Sequence, residues 1–320
     1  MKKKIVVVGS INVDLVARVE RLPALGETIL GQELQTFCGG KGANQAVAAA
    51  RLGAPVTMVA KLGDDHFGGY LRANLAEAGV DSTYVESVPG SSGTALISTT
   101  SAGDNSIIVI AGANGKLLPE DLERCNHELR HAAIILAQLE SPLRTIERLA
   151  ALAKSFDVPL MLDPAPAQPL AEQVLRAVTW FTPNESEIRS FLGDARLQVD
   201  SISAPGVAQK VLQLGVRNVI LKLGARGVYM AGEDVTPLYV PGFHVDAIDS
   251  TAAGDAFNGA FAFGLAVKKM TPQKAAEFAC AAAAISVTRH GAQTSMPRLG
   301  EVEEFLANAQ GVSLESQATI

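Results

Sequence analysis

The stretch AAIILAQLESPLRTIERLAALAKSFDVPLMLD, residues 132–163, reads as a strand (Ala132–Leu139), a helix (Ser141–Phe156) and a second strand (Val158–Asp163). Two strands joined by a helix form the crossover unit of a parallel sheet. The alternation continues outward. Helix Pro119–Arg130 precedes it; strand Val178–Thr182, helices Glu185–Leu192 and Ala204–Leu214, and strand Val216–Leu221 follow. Upstream, Lys4–Gly9 is a short β-branched run ended by glycine, a buried strand, and Ala43–Leu52 is a helix stopped by Gly53 ahead of strand Val56–Ala60. Helices Ala253–Val267 and Thr271–Thr288 carry most of the remaining apolar mass. The expected fold is α/β: a doubly wound, mostly parallel sheet with helices on both faces.

One region breaks the alternation. Val13, Leu15, Ala17 and Val19 fall at every second position, and Gly93–Ser98 and Ser106–Ile110 have the same half-exposed character, joined by the turn Ala102–Asn105. Segments of about 13–37 and 93–111 therefore predict a small β-sheet appended to a single domain spanning 1–320. Glycine is uneven in the same sense. Fifteen of the 29 lie between Gly26 and Gly115, and none between Lys116 and Leu192. Turns and close backbone approaches are expected early, regular elements later.

With 48% apolar and 19% charged residues, the chain can bury a sizeable core, which excludes disorder. Net charge is −6 with only 16 aromatic residues, so the cationic field and stacking platforms of a nucleic-acid binder are lacking. The run Ile5–Val8 after three lysines is too short for a signal-peptide core, and no stretch nears the ~18 apolar residues of a membrane span. Cys38, Cys125 and Cys280 are odd in number and scattered, which fits a reducing cytoplasm.

The strongest chemical segment runs from Asp249 to Gly259, at the start of an apolar helix. Ala252, Ala253, Gly254 and Asp255 would present backbone N–H groups at a positive dipole end, and small side chains let an anion approach. A carboxylate at that spot suits a base that takes a proton from an attacking hydroxyl; the alternative is an ordinary acidic first turn. Cys38-Gly-Gly-Lys-Gly-Ala-Asn44 also precedes a helix, and its amides and Lys41 could contact a polyhydroxylated or anionic ligand. It fits neither the dinucleotide fingerprint nor the phosphate loop, so a flexible helix N-terminus is the alternative.

Asn12 and Asp14 follow the first strand, where ligands gather in a doubly wound sheet, although Asp14 could equally cap a loop. Glu140 and Asn184 also follow strands. Asn184 and Glu187, three apart at a helix start, could face one site suited to hydrated Mg²⁺. Gly224–Gly227 is either a nucleotide loop or a plain hairpin turn. His127-Glu-Leu-Arg-His131 matches a zinc-protease pattern, but the next strand stops the helix, so both histidines read as solvated.

In this order along the chain, the segments resemble the ribokinase-like carbohydrate kinase family over Lys4 to Pro297. The carriers are Gly9–Asp14, Gly39–Ala46, Ala111–Asn114, Gln138–Ser141, Asp163–Ala167, Thr182–Glu187, Asp249–Asp255 and Gly291–Pro297. The resemblance implies ATP-dependent phosphorylation of a sugar's terminal hydroxyl, with Asp255 as base and the amides of Ala252, Ala253 and Gly254 as the anion hole. It implies a sugar site of Asn12, Asp14, Gly40, Lys41, Gly42, Ala43, Asn44 and Glu140. The nucleotide site would comprise Asn184, Lys222, Leu223, Gly224, Ala225, Arg226, Gly227, Gly254 and Cys280. Glu187 would organise Mg²⁺ indirectly. A K⁺ site would use Asp249, Thr251, Ser286, Arg289, Gly291 and Ser295, mostly through backbone oxygens. The β segments would form a lid that closes over sugar and makes a homodimer contact.

Four residues depart from the family's usual pattern. Ser250 and Lys222 stand where threonine is common, Asp163 where asparagine is frequent, and Cys280 where Asn or His often meets the adenine or its ribose. Asn12 and Asp14 together favour a substrate with vicinal hydroxyls, so ribose leads. Deoxyribose, fructose or a nucleoside are the alternatives in the same family. A non-catalytic sugar sensor would show a damaged Asp255 or anion hole, and neither is damaged. Gly39, Gly40 and Gly42 are expected in the sugar loop, and Gly224, Gly227 and Gly254 where backbone approaches nucleotide phosphates. Ser313–Ile320 reads as a frayed tail.

Overall fold

In the computed structural model, which describes residues 4–100 and 105–317, β1 (Ile5–Val8) lies well inside a nine-stranded sheet. Its side chains alternate between two cores: Ile5 and Val7 join the hydrophobic cluster on one face, Val6 and Val8 that on the other, all fully buried. A β-branched residue at all four positions suits a strand covered on both faces.

On one side β1 pairs in parallel with β4 (Val56–Gly63), which pairs with β5 (Asp81–Val88). On the other side come β8 (Ile134–Gln138), β9 (Leu160–Asp163), β10 (Trp180–Phe181) and β11 (Asn218–Lys222), all parallel. Two antiparallel strands, β12 (Gly227–Gly232) and β13 (Leu238–Pro241), complete that edge. Strand order therefore runs outward in opposite directions from the β1/β8 boundary, where a doubly wound sheet opens its ligand crevice. A separate four-stranded sheet is built from β3 (Glu33–Gly39), β2 (Asn12–Val19), β6 (Gly93–Thr100) and β7 (Asn105–Ile110). Both sheets match the expected architecture; the turn expected at Ala102–Asn105 lies mostly outside the described residues.

Helices α1 (Lys41–Arg51), α9 (Ala253–Ala266) and α10 (Pro272–Ser286) contribute to the core containing Ile5, while α5 (Leu143–Phe156) and α8 (Ala204–Leu212) contribute to the opposite one. Gly259 sets how closely α9 approaches α1: a Cβ there would lie 2.6 Å from Ala48 Cβ and 2.7 Å from the Gln45 carbonyl oxygen. That contact brings the start of α9 onto the start of α1.

Several elements depart from the sequence reading. The helix expected over Pro119–Arg130 breaks at Cys125 into α3 (Pro119–Arg124) and α4 (Asn126–His131). Helix α2 (His66–Glu77) was not anticipated. Two glycines in its first turn weaken the local signal, but Asp65 caps it by accepting from Phe67 N and Gly68 N at 3.2 and 3.0 Å. Strands β5, β12 and β13 were likewise missed, β10 is shorter than expected, and α6 (Glu172–Leu175) is a single turn. Following α7 (Glu185–Phe191), the remaining helix is α11 (Leu299–Gln317), so 313–317 are helical rather than a frayed tail. No described helix is long and apolar enough to cross a membrane. His127 and His131 are exposed, and no group of three His, Cys, Asp or Glu side chains among the described residues could hold a metal.

Candidate active site

The carboxyl ends of β1, β8, β9 and β11 deliver Ser10, Glu140, Asp163 and Lys222 to the same edge of the sheet. Ser10 Oγ donates to Glu140 Oε2 across the β1/β8 boundary, and the same carboxylate oxygen accepts from Lys41 N at 3.1 Å. The start of α1 is thereby tied to both strands. Gly42 makes this possible sterically: a Cβ there would lie 2.6 Å from Ser10 N and 2.8 Å from Gly9 C. Gly40, at φ +87°, would likewise meet Asn12 N at 2.6 Å. At both glycines the missing side chain lets backbone pack against backbone.

Asp255 is 4% exposed in the first turn of α9. Its two oxygens each have a donor: Asn44 Nδ2 to Oδ2 at 2.9 Å and Gln45 Nε2 to Oδ1 at 3.0 Å. Burial pushes its carboxyl above the ordinary range; Lys41 opposes this and Asp163 adds to it, while the two amide bonds favour the ionised form. Burial also disfavours the charge on Lys41, but Asp255, Asp163, Glu140 and Glu187 outweigh it, so Lys41 stays protonated.

The segment before α9 is tightly turned. Ala252 precedes the helix in the left-handed region at φ +58°, unusual for a residue with a Cβ. Ala253 N donates to Ser250 O at 3.2 Å, so this member of the expected anion hole already has a backbone partner. Ala252–Asp255 line a cleft of about 300 Å³ together with Lys41, Asp163, Asn184, Glu187, Lys222 and Gly224. Asn184 and Glu187 bond reciprocally: Glu187 N donates to Asn184 Oδ1 at 2.8 Å and Asn184 N to Glu187 Oε2 at 2.7 Å. They form a capping box on α7 as well as a cleft wall.

A second cavity, of about 370 Å³, adjoins the first and is lined by Gly224, Ala225, Gly227, Phe257, Cys280 and Val287 among others. Leu223 is buried, and the Arg226 guanidinium pairs with Glu185, so neither lines these cavities. The turn Gly224–Arg226 joins β11 to β12, so it is a hairpin turn and a cavity wall at once.

On the lid side, Asn114 fixes Asn12: its Nδ2 donates to Asn12 Oδ1 at 2.7 Å while its Oδ1 accepts from Ile11 N at 3.0 Å. Asp14 lies where burial, together with the charges of Glu140 and Asp255, pushes its carboxyl up to about 7. Ala43 packs its methyl into the core and offers only backbone. Of the expected cation-site residues, Asp249 accepts from Thr251 N and Gly291 N, both at 2.9 Å, and Ile248 N and Asp249 N donate to Val287 O. The loop entering α9 is thus tied to the chain leaving α10. Ser286 and Ser295 hydroxyls donate to Ala283 O and Ala292 O, and Arg289 pairs with Glu301.

Gln45, Gln138, Asn114 and Gln293 had no individual role in the sequence reading. Gln138 Nε2 donates to Gln45 Oε1 at 2.7 Å, and Gln293 Nε2 to Asn44 Oδ1 at 3.1 Å, so both orient amides that bond to Asp255. A polar residue ending an otherwise apolar buried strand was the available signal for Gln138.

The sequence pattern of the pfkB family carbohydrate kinases matches residues 2–299. The chain belongs to this family. Among its relatives, ribokinase of Haemophilus influenzae is 40% identical over 311 residues, 97% of this chain and all of that one. Deoxyribokinase of Salmonella typhi is 38% identical over 305 residues, 95% of this chain and 98% of its own. Ribokinase of Arabidopsis thaliana, whose structure is a complex with ribose and ATP, superposes with a TM-score of 0.87 at 35% identity, covering 96% of this chain and 99% of that one. Membership makes this chain a carbohydrate kinase and agrees with the resemblance read from its eight segments.

Proposed function

We propose that this kinase transfers the γ-phosphoryl group of ATP to the 5-hydroxyl of D-ribose. The observation that carries the reading is Asp255: a buried carboxylate with an amide donor on each oxygen, at the start of a helix bordering the cleft. The sugar oxygen attacks phosphorus, the bond to the ADP oxygen breaks, and Asp255 takes the hydroxyl proton. The first-turn amides of α9, with Lys41 and Lys222, meet the charge on the transferring group. Asn12, Asp14, Asn44, Glu140 and the Gly40–Ala43 backbone hold the sugar, and the cavity beside Cys280 takes the base.

Mg²⁺ fits beside Glu187, whose oxygens already bond to Asn184, so the ion would be held through water and phosphate. It would neutralise phosphate charge there. K⁺ fits the backbone oxygens of Asp249, Thr251, Ser286, Arg289, Gly291 and Ser295, in segments already joined by hydrogen bonds; it would stiffen the approach to Ala252. We read residues 1–320 as one domain with a lid, acting in the cytoplasm. ADP release with ribose, deoxyribose, fructose and nucleosides, each with and without K⁺, tests the assignment. Ribose should give the highest kcat/KM, with K⁺ raising it; no turnover on any pentose would sink it. Preferred deoxyribose would instead favour the function named for the Salmonella relative.

The pH dependence of sugar binding follows from Asp14. An ionised carboxylate accepts sugar hydroxyls, so binding favours the unprotonated form. Below about pH 7 the ribose Kd should weaken, approaching tenfold per unit, and above it level off. Titration calorimetry from pH 5.5 to 8.5 measures this, and Asp14→Asn should flatten the profile.

The lid also supports a homodimer. Ile107, Ile108, Val109 and Ile110 on β7 are 46–61% exposed along an edge strand, with Leu96 exposed on neighbouring β6. Light scattering should give twice the chain mass, and Ile108→Asp should raise the dimer Kd at least about tenfold.

A further inference from the structure

Lys222 and Asp163 end neighbouring parts of the sheet on β11 and β9, and both side chains are nearly fully buried. Lys222 Nζ donates to Asp163 Oδ1 at 3.0 Å. Asp163 Oδ2 accepts from Gln45 Nε2 at 3.1 Å, and that same nitrogen donates to Asp255 Oδ1 at 3.0 Å. Because Gln45 Oε1 is occupied by Gln138 Nε2, the amide has one orientation, with one N–H for each carboxylate. Lys222 Nζ lies 3.2 Å from where a Cβ on Gly254 would be, so its ammonium stands beside the amides at the head of α9.

We propose that Asp163 is a positioning residue for phosphoryl transfer, anchoring the Lys222 ammonium at the anion hole with one oxygen and, through Gln45, the catalytic carboxylate with the other. A free lysine would have to give up rotamer freedom as the phosphoryl group arrives; an anchored one is already in place. The negative charge of Asp163 also adds to burial in raising the proton affinity of Asp255, a stronger base for the sugar hydroxyl. The other charged groups lining the cleft with Asp255 are Lys41, Lys222 and Glu187, and Asp14 also interacts with it. The asparagine and threonine common in the family at these two positions could supply neither charge, so the two departures in this chain compensate one another.

This inference rests on the kinase reading above, and one set of assays separates them. Wild-type turnover of ribose, lost in Asp255→Asn, tests that reading. Asp163→Asn, Lys222→Thr and the double variant test the inference, by kcat, ribose KM and the pH profile of kcat. Lys222→Thr should lower kcat roughly 10²-fold with ribose KM within about twofold. Asp163→Asn should lower kcat at least about tenfold and move the acid limb of the profile to lower pH. The double variant should be no slower than the slower single one, since both act through one pair, and its limb should lie between those of the wild type and Asp163→Asn, because losing the Lys222 ammonium opposes losing the Asp163 charge. Asp163→Asn with wild-type kcat and an unmoved limb would overturn the proposal, as would multiplicative losses in the double variant. If Asp163→Asn does not fold, leaving Lys222 buried and unpaired, the double variant decides: it lacks the unpaired ammonium, and a wild-type kcat there overturns the proposal.

Discussion

Asp255→Asn is expected to lower kcat on ribose by roughly 10³- to 10⁴-fold while leaving ribose binding measurable. The substitution keeps the shape of the side chain but removes the proton acceptor. It also disturbs a matched pair of hydrogen bonds, because Asn44 Nδ2 and Gln45 Nε2 both donate to this carboxylate. An amide offers one oxygen, so its NH₂ would face a donor. That mismatch costs about 1–3 kcal/mol, partly offset by removing a buried charge. Single-turnover phosphate transfer separates chemistry from binding, and calorimetry with ribose reports the latter. Unchanged kcat would refute Asp255 as the base.

Gly42→Ala is expected to be strongly damaging for so small a substitution. Its Cβ would meet Ser10 N at 2.6 Å, and Gly9 C and Ser10 O at 2.8 Å, all backbone atoms. Rotamer changes cannot relieve such contacts, so α1 must move away from the end of β1. The destabilisation should be roughly 2–4 kcal/mol, and Tm should fall by roughly 3–6 °C. Ribose affinity should fall with it, because the displaced segment carries Lys41 N, held by Glu140, and Asn44, which bonds to the base. Gly69→Ala is the control. That exposed position in α2 has no atom within 4 Å of a new Cβ, and helix propensity should make it neutral or stabilising by up to about 1 kcal/mol. Thermal melts of the two variants should therefore move in opposite directions. A Gly42→Ala protein with wild-type Tm and ribose Kd would show that the α1 approach tolerates slack.

Most of the framework was legible from local patterns. The alternation around residues 132–163 identified the parallel sheet, and the period-two apolar residues from Val13 identified the lid. The elements that escaped were those whose local signal is weak. Helix α2 begins with His66-Phe-Gly-Gly and is held by Asp65 and by packing. Strands β12 and β13 are antiparallel additions whose pairing depends on a three-residue turn. Asp255, Asn12, Glu140 and Asn184 were singled out because helix starts and strand ends are where this architecture collects ligand groups, and Lys222 through the family resemblance; Asp255, Asn184 and Lys222 share one cleft.

The sequence by itself determined the layer architecture, the small appended sheet, the position of Asp255 at a helix start, and the family. Each is encoded in short-range periodicity or in a short run of residue types. Tertiary structure alone decided what surrounds the base. Asn44 and Gln45 lie 211 and 210 positions from Asp255, and Lys222 lies 59 from Asp163. It also decided that Gly40 and Gly42 let α1 pack against the end of β1, and that Leu223 and the Arg226 side chain stay out of the cavities. Periodicity records which face of an element is buried. Which buried polar group meets which is set by how closely helices and strand ends approach in three dimensions, and no local pattern carries that distance.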